Sequence, residues 1–167
     1  MRLFSLINLA VFQLNWFLSA TYQESAIPII IALMCIHFLF SPCKKSDIEV
    51  LPIALVGIVV DQLLMVLQVI QIPQSSSLTL PIWLLFLWCV LAWCFNHSLK
   101  WLSHLSLYKV SGLGAVFGTL SYYAALQLNV FSSAYSPLYF IVIMAVVWAL
   151  LLPFLTRLHT FIIESEK

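Results

Sequence analysis

The chain alternates long apolar runs with short polar breaks. Six runs approach or reach the length a helix needs to cross hydrocarbon: about Leu3–Tyr22, Ala26–Phe40, Ile48–Ile70, Leu80–Ser103, Val110–Phe131 and Pro137–Leu158. Between them lie "TYQES", "SPCKKSD", "QIPQSSSLT", "SHLSLYK" and "NVFSSAYSP", all rich in turn-forming residues. The pattern predicts an all-α fold: a polytopic membrane bundle of six transmembrane helices, forming one integral domain over residues 1–167. The second run is the shortest and fits a helix with little tilt or a locally thin bilayer.

Composition points the same way. Hydrophobic residues make up 63% of the chain and charged ones 8%, against about 25% charged in soluble domains. The predicted partner is therefore the lipid bilayer, and a net charge of +1 gives no case for nucleic acid. The cations are Arg2, Lys44, Lys45, Lys100, Lys109, Arg157 and Lys167. With six spans all of them fall on one side, and the loops of the other side hold only Glu24. The positive-inside rule then predicts an N-in/C-in protein with both termini cytoplasmic. Leu3–Tyr22 has a basic start and small residues at Ser19 and Ala20, as a signal peptide would. Asn8, Gln13 and Asn15 interrupt it, however, so it reads as a retained helix.

Polar residues inside the runs are the candidates for function. Asp61 stands in "VGIVVDQLLMV", where a carboxylate costs on the order of 3 kcal/mol on insertion scales. Gly57, Asp61 and Gln68 fall on one face of an unbroken helix, and Gly57 would let a second helix approach closely. Counting about 1.5 Å of rise per residue puts Asp61 near mid-bilayer, at the depth of Asn15, Tyr122 and Trp148. A second layer, nearer the cytoplasm, holds Asn8, His37, Asn96 and His97. Asp61, Asn15, Tyr122, Asn8, Asn96 and His97 are thus the expected ligand-binding or proton-handling residues. The competing expectation is an internal hydrogen-bond network that only holds the helices together.

Other features carry less. His37 and His97 with a carboxylate are metal- or haem-ligand types, but no His pair has i, i+4 spacing, so neither a metal nor a cofactor is expected. His104 and His159 read as solvated at the cytoplasmic interface. Cys35, Cys43, Cys89 and Cys94 read as small apolar fillers. Trp83 and Trp101 suit the interfacial belts, whereas Trp88 and Trp93 lie deeper and either line a hydrophobic pocket or, on the plainer reading, face lipid or pack. Gly114 and Gly118 form a G-x-x-x-G packing surface, with Tyr122 one turn further along it. Pro153 is expected to kink the last helix. No phosphate loop, iron-binding His box or nucleophile elbow is present, so no catalytic residue can be named.

The segments "NLAVFQLNWF", "GIVVDQLL", "PIWLLFLWCVLAWCFNHSLKWL" and "VVWALLLPFL" resemble a family of small bacterial inner-membrane proteins, domain of unknown function 2878. The resemblance rests on Asn8, Gln13, Trp16, Gly57, Asp61, Pro81, Trp83, Trp88, Asn96, His97, Ser98, Trp101, Tyr122, Trp148 and Pro153. The chain departs from the family at "GTLSYY", where the family is richer in Gly and Pro. The resemblance implies a bacterial inner-membrane location and no established activity. It also implies an association with methyltransferases resembling cyclopropane-fatty-acid synthase, and hence with membrane-lipid modification.

Three functions are compatible with these observations. The first is binding or transport of a small or lipid-like ligand in a polar-lined intramembrane cavity; size and topology are analogous to the substrate-capturing subunits of vitamin transporters. The second is an enzyme or accessory subunit in fatty-acid modification. The third is a membrane scaffold.

Overall fold

The computed structural model describes residues 2–73 and 79–165, with only the backbone of Arg2. Residues 74–78 of the break "QIPQSSSLT" lie outside the described residues. The helices are α1 (Arg2–Tyr22), α2 (Ile27–Phe40), α3 (Lys44–Glu49), α4 (Leu51–Val66), α5 (Ile82–Asn96), α6 (Leu107–Leu113), α7 (Thr119–Gln127) and α8 (Pro137–Ser165). A tight turn, Gln23–Ala26, joins α1 to α2, a second one at Lys100–His104 follows α5, and a π turn over Gly114–Gly118 joins α6 to α7. Among the described residues the sole β feature is an antiparallel bridge between Gln71 and Ser132.

Three helical stretches are long and apolar enough to cross a membrane: Leu3–Phe40, Lys44–Val66 and Pro137–Ser165, while Ile82–Asn96 is a shorter apolar helix. Leu3–Phe40 has 38 residues, and as one straight helix it would run about 57 Å, nearly twice the hydrocarbon thickness. It folds back instead. Gln23 turns the chain at φ 48°, and the Phe4 ring comes within 5.5 Å of the His37 ring. Thus α1 and α2 run antiparallel, and both pack on α5. Around them α4 packs on α5, and α6, the π turn and α7 lie along α8.

The exterior is apolar and the interior partly polar, as expected where lipid is the solvent. Phe40, Leu150 and Phe161 are at least 70% exposed, whereas Asn8, Asn15, Asp47 and Asp61 are fully buried. The two buried carboxylates, which would cost several kcal/mol against acyl chains, gain partners inside the bundle.

Several boundaries differ from the hydropathy reading. The third run stops being helical at Val66. Gln68 takes φ 58°, and the Val69 amide donates back to the Leu64 carbonyl at 2.8 Å, closing the helix C-terminus. Gln68 is therefore exposed and off the Gly57–Asp61 face. In the fourth run the helix ends at Asn96. The last helix continues through Pro153 to Ser165, beyond the expected end at Leu158.

Glycines set the closest helix approaches. A Cβ on Gly57 would overlap the Trp88 indole, and one on Gly118 would overlap the Trp148 ring. At Gly114 it would meet the Trp148 carbonyl and Leu152. These are the positions where α4 meets α5 and where the π turn meets α8.

Candidate functional site

Two buried carboxylates organise the polar interior. The first is Asp61, at the point where α4, α5 and α7 meet. The Trp88 indole N–H donates to its Oδ2 at 2.6 Å, and the Tyr122 hydroxyl donates to its Oδ1 at 2.5 Å. Trp148 completes the cluster. Its ring stacks on Trp88 with centroids 6.0 Å apart, and it lies 5.8 Å from the Tyr122 ring. Without a side chain at Gly57, Trp88 can lie flat against α4 and present its N–H to a carboxylate one turn along.

Beside this cluster is a cavity of about 550 Å³. Phe12, Ser19, Asp61, Leu87, Tyr122 and Trp148 are among its lining residues. Leu9, Gln13, Phe117 and Leu120 line it too and are exposed, so it opens at the surface beside α1. The wall is overwhelmingly apolar. Its polar lining comes from Gln13, Ser121, Asp61 and Tyr122, the last two bonded to each other, and Ser19, whose buried hydroxyl has no partner among the described residues. Asn15 does not join them: its Nδ2 donates to the Val11 carbonyl of its own helix at 2.8 Å, and its Oδ1 has no partner among the described residues.

The second carboxylate is Asp47, on the short α3 between α2 and α4. Its Oδ2 accepts from the Ser41 hydroxyl at 2.5 Å and its Oδ1 from the Asn96 amide at 2.9 Å. His97 Nε2 lies 3.0 Å from Oδ1 and 3.3 Å from Oδ2, and His37 Nε2 lies 3.4 Å from Oδ2. The Trp93 indole donates to the Asp47 backbone carbonyl at 2.9 Å, while its ring stacks on His37 at 4.6 Å. Cys43 Sγ is 3.8 Å from His97 Nε2. Burial, and then the Asp47 carboxylate, push the Cys43 thiol above its ordinary pKa. Around this centre His159 Nε2 faces Asn96 Oδ1 at 3.0 Å, and Ser98 donates to Asn8 Oδ1 at 2.6 Å.

The family model described as "Protein of unknown function (DUF2878)" matches residues 5–154. The chain belongs to the DUF2878 family. No curated protein and no solved structure matches it. The matched region of this DUF2878 member holds Asp47, Asp61 and the groups that bond their carboxylates; His159 lies beyond it.

Sequence reasoning passed over much of this site. Asp47 read as a loop residue beside Lys44 and Lys45, yet it is fully buried. A usable signal existed. Carrying the Gly57–Asp61 face backwards at alternating steps of three and four passes Ala54 and Val50 and lands on Asp47, and all five are buried. Trp88 and Trp93 read as pocket-lining, lipid-facing or packing residues, but both indole N–H groups are donors to the two Asp residues. His159 is 5% exposed, not solvated, and Cys43 sits against His97.

Proposed function

We propose that this protein is a multi-pass bacterial inner-membrane protein that binds an amphipathic, lipid-like small molecule in the cavity beside Asp61. The carrying observation is the pairing of an apolar cavity of about 550 Å³ with a few convergent polar groups, the usual composition of a small-molecule site. The ligand's apolar body would lie against Phe12, Leu87 and Trp148, and its polar end would face Asp61, Tyr122 and the unpartnered Ser19 hydroxyl. Exposed Leu9, Gln13, Phe117 and Leu120 at the mouth suit entry from the bilayer rather than from water.

The test is native mass spectrometry with lipid extraction from protein purified in mild detergent. A stoichiometric molecule with a long apolar part and one polar group is expected, with occupancy at least about 10-fold lower in Asp61→Asn, the scale of one or two lost buried hydrogen bonds. A folded wild-type protein that retains no molecule, even after incubation with native lipid extract, overturns the proposal.

The topology proposed with it is six crossings with both termini cytoplasmic. Two observations support it: the seven cations fall on one side in that arrangement, and Phe4, His37 and His97 cluster at one end of the bundle. In a background lacking the native cysteines, Ala134→Cys should react with an impermeant thiol reagent from the periplasm and Ser106→Cys should not. The opposite pattern reverses the orientation.

A further inference from the structure

We propose that His37, His97 and Asp47 form a binding site for a first-row divalent transition-metal ion, with a fourth coordination position beside Cys43. The three side chains come from the end of α2, the end of α5 and α3, so no spacing along a single helix announces them. One ligand atom from each, an imidazole nitrogen of either histidine and a carboxylate oxygen, all lie within 4.8 Å of one another. An ion bound at 2.0–2.2 Å in tetrahedral geometry holds its nitrogen and oxygen ligands about 3.3–3.5 Å apart. The separations of Asp47 Oδ2 from His37 Nε2 and His97 Nε2 are 3.4 and 3.3 Å. Two edges of the ligand triangle therefore already match those around a bound ion, and the third, between the two imidazoles, is at most 4.8 Å. Cys43 Sγ, 3.8 Å from His97 Nε2, is close to the roughly 3.6 Å expected between thiolate and imidazole on one such ion.

Without an ion, Asp47 can accept from Ser41 and His37 at Oδ2 and from Asn96 and His97 at Oδ1, with both imidazoles carrying their proton on Nε2. With an ion between Oδ2 and the two rings, both Nε2 atoms become lone-pair donors to the metal, and Oδ2 keeps the ion and Ser41. The surroundings are also those that orient metal ligands: Ser41 and Asn96 fix the carboxylate, and Trp93 holds the His37 ring face to face. Two imidazoles with one carboxylate select zinc or ferrous iron over calcium or magnesium, which prefer all-oxygen shells. The centre shares no residue with the cavity lining, so it stands independently of the lipid-like ligand.

The experiment uses the full chain without a histidine tag, in nanodiscs, with Co²⁺ as the probe. One equivalent should bind and give the visible absorption of a tetrahedral or five-coordinate site. Either Zn²⁺, or Fe²⁺ under anaerobic conditions, should displace it. His97→Gln and His37→Gln should weaken Co²⁺ binding at least about 100-fold, and Asn96→Ala, which only loosens the carboxylate, about 10-fold. Exposed His104→Gln should bind as wild type. The melting temperature without metal shows that each variant is folded, and added Co²⁺ should raise it in wild type but not in His97→Gln. Folded wild-type protein without stoichiometric Co²⁺, Co²⁺ that neither Zn²⁺ nor Fe²⁺ displaces, or a folded His97→Gln that binds as wild type overturns the proposal.

Discussion

Asp47 and Asp61 are both acidic, both fully buried and both associated with a tryptophan N–H, yet their surroundings differ in kind. Asp61 has two donors, an indole and a phenol, and its other neighbours are rings and a cavity. Asp47 has four side chains around its carboxylate, two of them imidazoles, and no part in the cavity lining. In low dielectric a carboxylate with only neutral donors suits a ligand that exchanges hydrogen bonds with it. A carboxylate with two imidazoles suits a cation, and it also ties together α2, α3 and α5. The residues around a buried acid, more than its burial, separate a recognition group from a structural or metal-binding one.

The comparison predicts that the Asp47 centre matters more for stability. In Asp47→Leu, His37, His97, Ser41 and Asn96 all lose their shared acceptor, and breaking a buried network by removing one partner costs about 3–5 kcal/mol. Thermal unfolding in detergent should fall by on the order of 10 °C, using the scaling for a soluble domain of this size. Asp61→Leu strands only the Trp88 and Tyr122 donors and should cost less. A larger loss at Asp61 than at Asp47, measured side by side, reverses the assignment of roles.

Next in size is Gly118→Leu, which probes the wall of the Asp61 cluster rather than its carboxylate. The new side chain would overlap the Trp148 ring, and overpacking of this kind costs about 1–3 kcal/mol. Because Trp148 stacks on Trp88, the same variant should also alter tryptophan fluorescence. Wild-type stability and an unchanged spectrum would mean that the π turn does not press on α8 as described.

Asp61→Asn sharpens the comparison from the functional side. The shape is kept and the amide can accept from Trp88 and donate to Tyr122, so stability should stay within about 1 kcal/mol of wild type. It offers a ligand one acceptor oxygen fewer, however, so occupancy of the cavity should drop, while Co²⁺ binding at the other centre stays unchanged. Equal loss at both centres would mean that one carboxylate controls the whole interior and that the two layers are not separate.

The sequence made much of this legible, in a way that follows from the solvent. Lipid demands long apolar helices, so their existence and order can be read from hydropathy alone, and Asp61 stands out because its neighbours are all but uniformly apolar. Helix ends are harder to read. Those after Val66 and Gln127 close through left-handed Gln68 and Asn129, without the glycine that usually marks such a cap. Asp47 is hidden for the opposite reason to Asp61: its neighbours Lys44 and Lys45 are exposed, and it is buried by groups distant in sequence, at the ends of α2 and α5. A tryptophan counts among the 63% hydrophobic residues of the composition, which conceals the N–H that Trp88 and Trp93 each place on an acceptor. Depth counting brought Tyr122 and Asp61 to one level, but level alone does not say which way Asn15 faces.

Asn15 therefore gives the smallest effect and the sharpest check. Helical rise counted along the sequence puts it near the depth of Asp61; it is fully buried, but it bonds its own helix and leaves Oδ1 without a partner among the described residues. Replacing a partly satisfied buried amide with an apolar group of similar size removes little and can relieve an unmet acceptor. Asn15→Leu should accordingly melt within about 0.5 kcal/mol of wild type, or slightly higher, the range of a substitution that breaks no network. It should also leave cavity occupancy intact, because Asn15 is not among the lining residues. A loss as large as that of Asp61→Leu would show that Asn15 turns to the carboxylate in the membrane. The mid-bilayer layer would then be a network joined to α1, and its contrast with the Asp47 centre would disappear.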